Sequence, residues 1–199
     1  MRFLISCHAV RPAFCAVAFI NFAYIFDLDR ISNALQDDRG LALKKTSALI
    51  WLYTYALILV DGIKCKDVSA PENRKGQLAT VFPRVVQFMR SMSATEMTGV
   101  VNVAIRMEAN TFAARADDDF LCRDGLAAMQ AGLARFGDKA TREVPTPPGG
   151  LGKTKEIMAD PDYKPEFLPK SIWEPKQKEI RAGLPDALAK LTAPAANNK

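Results

Sequence analysis

The stretch KKTSALIWLYTYALILVDGIKC, Lys44 to Cys65, decides how much of this chain belongs to its folded domain. Two lysines precede the apolar run Ala48–Val60, and a small-residue exit follows at Gly62. A transmembrane helix needs about 20 apolar residues, whereas the core of a secretory signal needs roughly 7–15. The length and the order of these features are typical of a signal peptide, although the stretch begins more than forty residues into the chain.

A second apolar run, Ala13–Phe26, lies upstream and also has basic residues ahead of it, Arg2 and Arg11. Positive charge tends to keep its side of a segment in the cytoplasm, so two successive spans with these flanks would oppose each other in orientation. One interpretation is that translation starts near Leu41 or Leu43 and that a signal peptide is removed. The second is an uncleaved signal anchor, and the third is that both runs are core helices of a soluble protein.

We expect export, because the second run is apolar all round and the other predicted helices are too modest to bury it. Residues 1–45 are then an N-terminal extension, and one explanation for it is a translation start assigned too far upstream. Residues 46–62 are a signal peptide or signal anchor. The location predicted for the remaining chain is periplasmic or secreted. The alternative is a membrane-anchored protein with its C-terminal domain outside the cytoplasm.

Composition excludes several functional classes. A hydrophobic content of 49% and a charged content of 25% are those of a globular protein rather than a disordered one. The net charge of +5 comes from scattered basic residues, which does not indicate nucleic-acid binding. The single histidine, His8, precedes both apolar runs, so the exported part lacks histidine-based triads and histidine-ligated metals. An enzyme is therefore less expected than a binding protein.

Helical periodicity predicts a helical core over residues 63–142. A first helix is expected to begin near Thr80, which would place Pro83 in its first turn. Ser93 and Glu96 form a capping box for a second helix, and Asp124 is the predicted N-cap of a third helix that stops at Gly137. The inward faces are predicted to be Leu78, Val81, Phe82, Val85, Val86 and Met89 in the first helix, Met97, Val100, Val101, Ala104 and Ile105 in the second, and Leu126, Met129, Leu133 and Phe136 in the third.

Residues 143–172 are rich in proline, glycine and aromatic residues and predict an extended strap. Its aromatic residues Tyr163 and Phe167, together with Trp173 directly after it, either pack on the helices or bind a partner. A C-terminal helix is expected over residues 173–192, opened by Ser171 and Glu174 and kinked or split at Pro185, with a disordered tail over 193–199. No alternating strand pattern of useful length occurs, so the fold class is mainly α: a small irregular helical bundle.

Cys65 and Cys122 are the only cysteines after the apolar runs, and an even pair in an exported chain predicts a disulfide. The bond would add roughly 4 kcal/mol of stability in the chain-entropy description. Their spacing is unlike C-x-x-C, so it does not indicate redox catalysis.

Four aspartates next to Cys122 could hold a hard cation such as calcium, although consecutive aspartates point in different directions. These residues are Asp117, Asp118, Asp119 and Asp124. The alternative is a solvated acidic loop in which one residue caps a helix. Glu108 is a weaker candidate for a general acid. PPGGLGKT, Pro147 to Thr154, lacks the first glycine of a phosphate-binding loop.

These observations favour an exported small helical protein of the bacterial envelope with a binding or structural role. Its partner would be another envelope protein or a small ligand, with no nucleic acid, and nothing in the sequence indicates a cofactor. One alternative is a membrane-anchored accessory subunit that contacts the membrane through residues 48–60. Another is a carboxylate-based, cation-dependent enzyme that uses the acidic loop 117–124.

Overall fold

The computed structural model describes residues 17–35, 37–144 and 154–192, and these form a helical bundle with one short β-hairpin. The mainly α fold class is thus confirmed. The elements are α1 (Val17–Ala34), α2 (Asp38–Gly62), α3 (Ser69–Val81), α4 (Pro83–Ser91), α5 (Ala94–Thr111), a 3₁₀ turn (Phe112–Ala114), α6 (Asp119–Cys122), α7 (Leu126–Phe136), a second 3₁₀ turn (Gly137–Ala140), β1 (Thr141–Val144), β2 (Thr154–Ile157) and α8 (Lys170–Thr192).

Helix α2 lies at the centre of the bundle, where α1, α3, α4, α5, α6 and α8 all pack against it. Its N-cap Asp37 accepts hydrogen bonds from the backbone of Arg39 and Gly40. Its apolar side chains are buried on more than one side, and Trp51 Nε1 donates to Leu78 O at 3.0 Å. The second apolar run is therefore packed as a core helix in this structure.

By length and composition α2 is the one helix in the described residues that could cross a membrane. In the structure, however, 56% of its most apolar window is buried inside the protein. Residues 46–62 share one core with the helices that follow them. That this segment directs export stays a prediction.

The apolar stripe around Pro83 belongs to two helices, so the single helix predicted to begin near Thr80 is wrong. α3 ends at Val81, and Pro83 is the first residue of α4, where its missing N–H needs no partner. Phe82 has the non-helical dihedral angles that separate the two helices. Leu78 and Val85 are buried, but the predicted core residue Val81 is 53% exposed.

The capping box at the start of α5 is confirmed. Ser93 Oγ accepts a hydrogen bond from the Glu96 N–H, and the Glu96 carboxylate accepts one from the Ser93 N–H. Lys45 of α2 lies 2.9 Å from Glu96, and this ammonium, together with Ser93, lowers the pKa of Glu96 to about 2. The charged carboxylate therefore ties α5 to α2 while it caps α5.

Helix α7 differs from prediction at its start and on its inner face. Gly125 is the N-cap in place of Asp124. Leu126, predicted to lie in the core, is 61% exposed, and Leu133 and Phe136 are also exposed. The buried face consists of the small residues Ala128 and Gly132, because the backbone of residues 158–160 lies directly on it. The C-cap predicted at Gly137 is confirmed by its positive φ of 56° and by its N–H bond to Leu133 O.

The segment predicted as a strap begins with strands β1 and β2, which pair in antiparallel register with Thr141 opposite Ile157. This hairpin was not predicted from the sequence. The chain beyond it is extended over the helices: Asp160 N–H donates to Ala128 O at 3.0 Å, and Leu168 N–H donates to Lys64 O at 2.7 Å. These two hydrogen bonds attach the extended segment to α7 and to the end of α2. Residues 145–153, with most of PPGGLGKT, lie outside the described residues, as does the tail 193–199.

Helix α8 begins at Lys170, earlier than predicted, and continues through Pro175 and Pro185 to Thr192. Pro185 therefore does not split it. Leu184 and Leu188 are buried against the core, whereas Leu191 is exposed. The N-terminal half of α8, residues 170–181, forms one wall of a cleft.

Candidate functional site

The disulfide between Cys65 and Cys122 fixes one side of the candidate site. The two sulfur atoms are bonded at 1.96 Å, and the Cα atoms lie 5.1 Å apart. Cys65 follows α2, Cys122 ends α6, and both are buried. The bond holds Lys64, the residue before Cys65, near the acidic loop, where Lys64 Nζ lies 3.4 Å from Asp117 Oδ1.

A buried cluster of charges lies beside the disulfide, centred on Arg115. Its Nε donates to Asp61 Oδ2 at 2.7 Å, and its Nη2 donates to Glu108 Oε1 at 2.7 Å. Its Nη1 also donates to the Glu108 carbonyl oxygen at 2.9 Å. A guanidinium suits this role because its planar fork can bind two carboxylates at once and stays charged when buried. The cluster joins the end of α2 to α5 and to the loop after α5.

Helix α8 completes the cluster with two side chains one turn apart. Arg181 Nε lies 3.2 Å from both carboxylate oxygens of Glu108. Gln177 Nε2 donates to Val60 O at 3.1 Å and to Asp61 Oδ1 at 3.2 Å. The guanidinium of Arg181 also lies 3.8 Å from the ring centroid of Phe112, which is cation–π distance. Arg181 is thus held in place on two sides.

The charges in this cluster largely neutralise one another. Burial raises the pKa of Asp61, and the cations of Arg115 and Lys64 oppose that rise. Lys64 Nζ lies 3.8 Å from Asp61 Oδ1 and 5.1 Å from the ring centroid of Trp173. These contacts hold the charged side chains of the cluster in fixed positions.

A cleft of about 500 Å³ opens in front of this cluster, and we name it the basic–aromatic cleft. Phe112 and Trp173 provide its aromatic surfaces. Its charged lining residues are Lys64, Arg115, Lys170, Lys178, Arg181 and Glu174. Five of these six are cationic.

The ion pairs of the cleft leave positive charge at its rim. The inner cations pair with Asp61, Glu108 and Asp117, and Glu174 lies 3.4 Å from Lys170. Lys178 makes no ion pair with any residue that the structure describes. The cleft is therefore suited to an anion.

The four aspartates predicted as a metal site are not brought together. Asp117 pairs with Lys64, and Asp118 caps α6 by accepting from the Phe120 N–H at 2.9 Å. Asp119 lies in the first turn of α6, and Asp124 pairs with Arg74 at 2.6 Å. Within the described ranges, no group of three or more histidine, cysteine, aspartate or glutamate side chains could hold a metal ion.

The three aromatic residues for which packing on the helices or partner binding was predicted lie apart from one another in the structure. Phe167 pairs with Cys65 through an isolated β-bridge and packs against the core. Tyr163 lies in a different pocket, with Asp67 and Glu166. Only Trp173 lines the basic–aromatic cleft.

Sequence reasoning missed Arg115 and Arg181 as functional candidates. A signal was present for the second of them, because Trp173, Gln177 and Arg181 recur at every fourth residue and so share one face of α8. Arg115 lies in a loop with no periodic pattern. Glu108, considered above as a general acid, binds Arg115 and Arg181 instead.

Comparisons with protein-family models, with curated proteins and with solved structures found no significant match to this chain.

Proposed function

We propose that this protein binds a small anionic ligand with an aromatic or apolar portion in the basic–aromatic cleft. The observation that supports this most directly is the convergence of five cationic side chains and two aromatic rings on one cleft, with a single carboxylate among the described lining residues. Ligand pockets in proteins measure about 300–1,000 Å³ and combine apolar walls with a few fixed polar groups. The cleft fits that description.

Each part of the cleft suits one part of such a ligand. The anionic group would approach Lys178 and Lys170 at the rim and the preorganised Arg181 and Lys64 further in. The apolar portion would stack against Phe112 or Trp173, whose faces accept rings or cations. Because ion pairs and ring contacts already fix Arg181 and Lys64, their ordering adds little entropic cost to binding.

We further propose that the protein works in an oxidising compartment such as the bacterial periplasm. Disulfides form and persist in such compartments and are rare in the cytosol, and the Cys65–Cys122 bond supports this location. Membrane contact through residues 48–60 is not included, because Trp51, Leu52 and Leu57 of this run are used in core packing. We therefore propose a binding protein in which α2 is not cleaved off and remains part of the folded chain.

Isothermal titration calorimetry with phenyl phosphate tests the proposal, with inorganic phosphate and phenol as partial ligands. We expect saturable binding of phenyl phosphate, weaker binding of phosphate and none of phenol. Lys178→Glu and Trp173→Ala should each weaken binding by about tenfold, as loss of one charged or stacking contact does.

Lys176→Glu is the matched control, since Lys176 is exposed on the same helix and does not line the cleft. It makes the same charge change and should leave the affinity unchanged. Absence of phenyl phosphate binding, or an equal loss from Lys176→Glu and Lys178→Glu, would contradict the proposal.

A further inference from the structure

A second polar pocket of about 300 Å³ lies between α1, α2 and α4, separate from the basic–aromatic cleft. We name it the serine pocket. The residues of its lining that matter here are Asp29, Ser32, Lys44, Ser47, Arg84, Gln87 and Ser91. Its volume is at the lower end of the range for ligand sites, which suits a molecule of about the size of a monosaccharide.

Among the described residues of the serine pocket, one of the two cations is not in an ion pair. Asp29 is the only acidic residue among the described residues of the lining, and Arg84 donates to its Oδ2 from Nε at 3.0 Å and from Nη2 at 2.7 Å. Lys44 makes no ion pair within the described part of the chain, whereas its neighbour Lys45 pairs with Glu96. The pocket therefore attracts an anion toward Lys44.

The hydroxyl groups of the pocket can accept further hydrogen bonds. Ser32 Oγ donates to Asp29 O at 3.0 Å, and Ser91 Oγ donates to Phe88 O at 2.7 Å. A hydroxyl that donates once retains lone pairs, so both oxygens can accept from hydroxyl groups of a ligand. The carboxamide of Gln87 supplies a donor and an acceptor at the same pocket.

Ser47 provides a second, independent observation at this pocket. It is 1% exposed and lines the pocket, yet its Oγ has no hydrogen-bond partner in the structure. Buried polar atoms in native proteins are nearly always hydrogen-bonded, so each exception requires an explanation. A ligand oxygen in the serine pocket would supply the partner.

We propose that the serine pocket binds a small hydroxylated anion, a polyol that bears a phosphate or a carboxylate. Its anionic group binds Lys44 beside the Arg84–Asp29 pair. Its hydroxyl groups bind Ser32, Ser91 and Gln87, and one of its oxygens satisfies Ser47. The proposal is independent of the ligand assigned to the basic–aromatic cleft.

Calorimetric titration of the full chain with glucose 6-phosphate and with gluconate tests this proposal, and glucose shows whether the anion is required. We expect saturable binding of at least one of the two anions and none of glucose. Lys44→Ala should weaken binding by about tenfold, because it removes the charge that is not already paired. Lys45→Ala makes the same charge change outside the pocket and should leave the affinity within about twofold of wild type.

Ser47→Ala is the second variant, because it deletes a hydroxyl that has no partner and changes the volume little. It should retain the wild-type melting temperature and bind the anion several-fold more weakly. Binding of neither anion at millimolar concentration would overturn the proposal. So would binding that Lys178→Glu abolishes and Lys44→Ala spares, since the anion would then occupy the basic–aromatic cleft.

Discussion

Glu108 shows at the scale of a single residue how burial changes the value of an ion pair. Its side chain is 2% exposed and accepts from Arg115 at 2.7 Å and from Arg181 at 3.2 Å. Removing one partner of a buried pair leaves the other charge desolvated, which costs about 3–5 kcal/mol. We therefore expect Glu108→Gln to lower the free energy of unfolding by about 3 kcal/mol in urea denaturation.

Glu166 provides the matched control for this prediction. It forms an equally short pair with Lys66, at 2.6 Å, but its side chain is 66% exposed. Exposed pairs contribute about 0–1 kcal/mol, so Glu166→Gln should change the unfolding free energy by less than about 1 kcal/mol. Equal effects of the two substitutions would show that the cluster around Glu108 is exposed to solvent. The cluster would then not form a rigid wall of the basic–aromatic cleft.

Single residues with a local rule were the most predictable from sequence. The Ser93–Glu96 capping box and the Gly137 C-cap depend on neighbours within one turn, and both are confirmed. Arg115 contacts Asp61, 54 residues away, and also Glu108, seven residues away across the end of α5, and no helical or capping pattern indicates either contact. The basic–aromatic cleft was missed for the same reason.

At the scale of a single element, the buried face of α7 is determined by the extended segment that packs across it. Gly132 of α7 contacts the backbone of residues 158–160, and a Cβ added there would overlap the Met158 carbonyl oxygen. Gly132→Ala should therefore destabilise the protein by about 1–3 kcal/mol, the cost of overpacking, despite the better helix propensity of alanine. Thermal or urea denaturation measures this change.

Gly99, in the interior of α5, is the matched position because a Cβ there would meet nothing within 4 Å. Gly99→Ala should raise the unfolding free energy by about 0.5–1 kcal/mol through helix propensity alone. If Gly132→Ala stabilised the protein as well, residues 158–160 would not pack on α7 in solution.

The helices were predictable as elements where periodicity and caps agreed, as in α5. The buried face of α7 was not predictable, because large apolar residues at helical spacing usually lie in the core and here they do not. Here the extended chain packs closely on Ala128 and Gly132, and Leu126 is left exposed. The β-hairpin was missed because its strands have only four residues each, too few to show alternation.

At the scale of the whole molecule, the stability of the bundle depends on α2. A fully buried large apolar side chain contributes about 1.5–3 kcal/mol, so Trp51, Leu52, Leu57, Ile58 and Val60 together contribute about 10 kcal/mol. That is comparable with the whole free energy of unfolding of a typical domain, about 5–15 kcal/mol. The mainly α class could be predicted from the sequence. The position of α2 in the core could not, because a signal sequence and a central core helix are similarly apolar.

We therefore predict that a variant consisting of residues 63–199 does not fold, although it keeps both cysteines of the disulfide. Circular dichroism should show low helix content and no cooperative thermal transition. A variant of residues 17–199 keeps α1 and α2 and should unfold cooperatively like the full chain, so it controls for loss of the N-terminus itself. A cooperative transition in the 63–199 variant would contradict the central role of α2 and would restore cleavage near Gly62 as the interpretation of that segment.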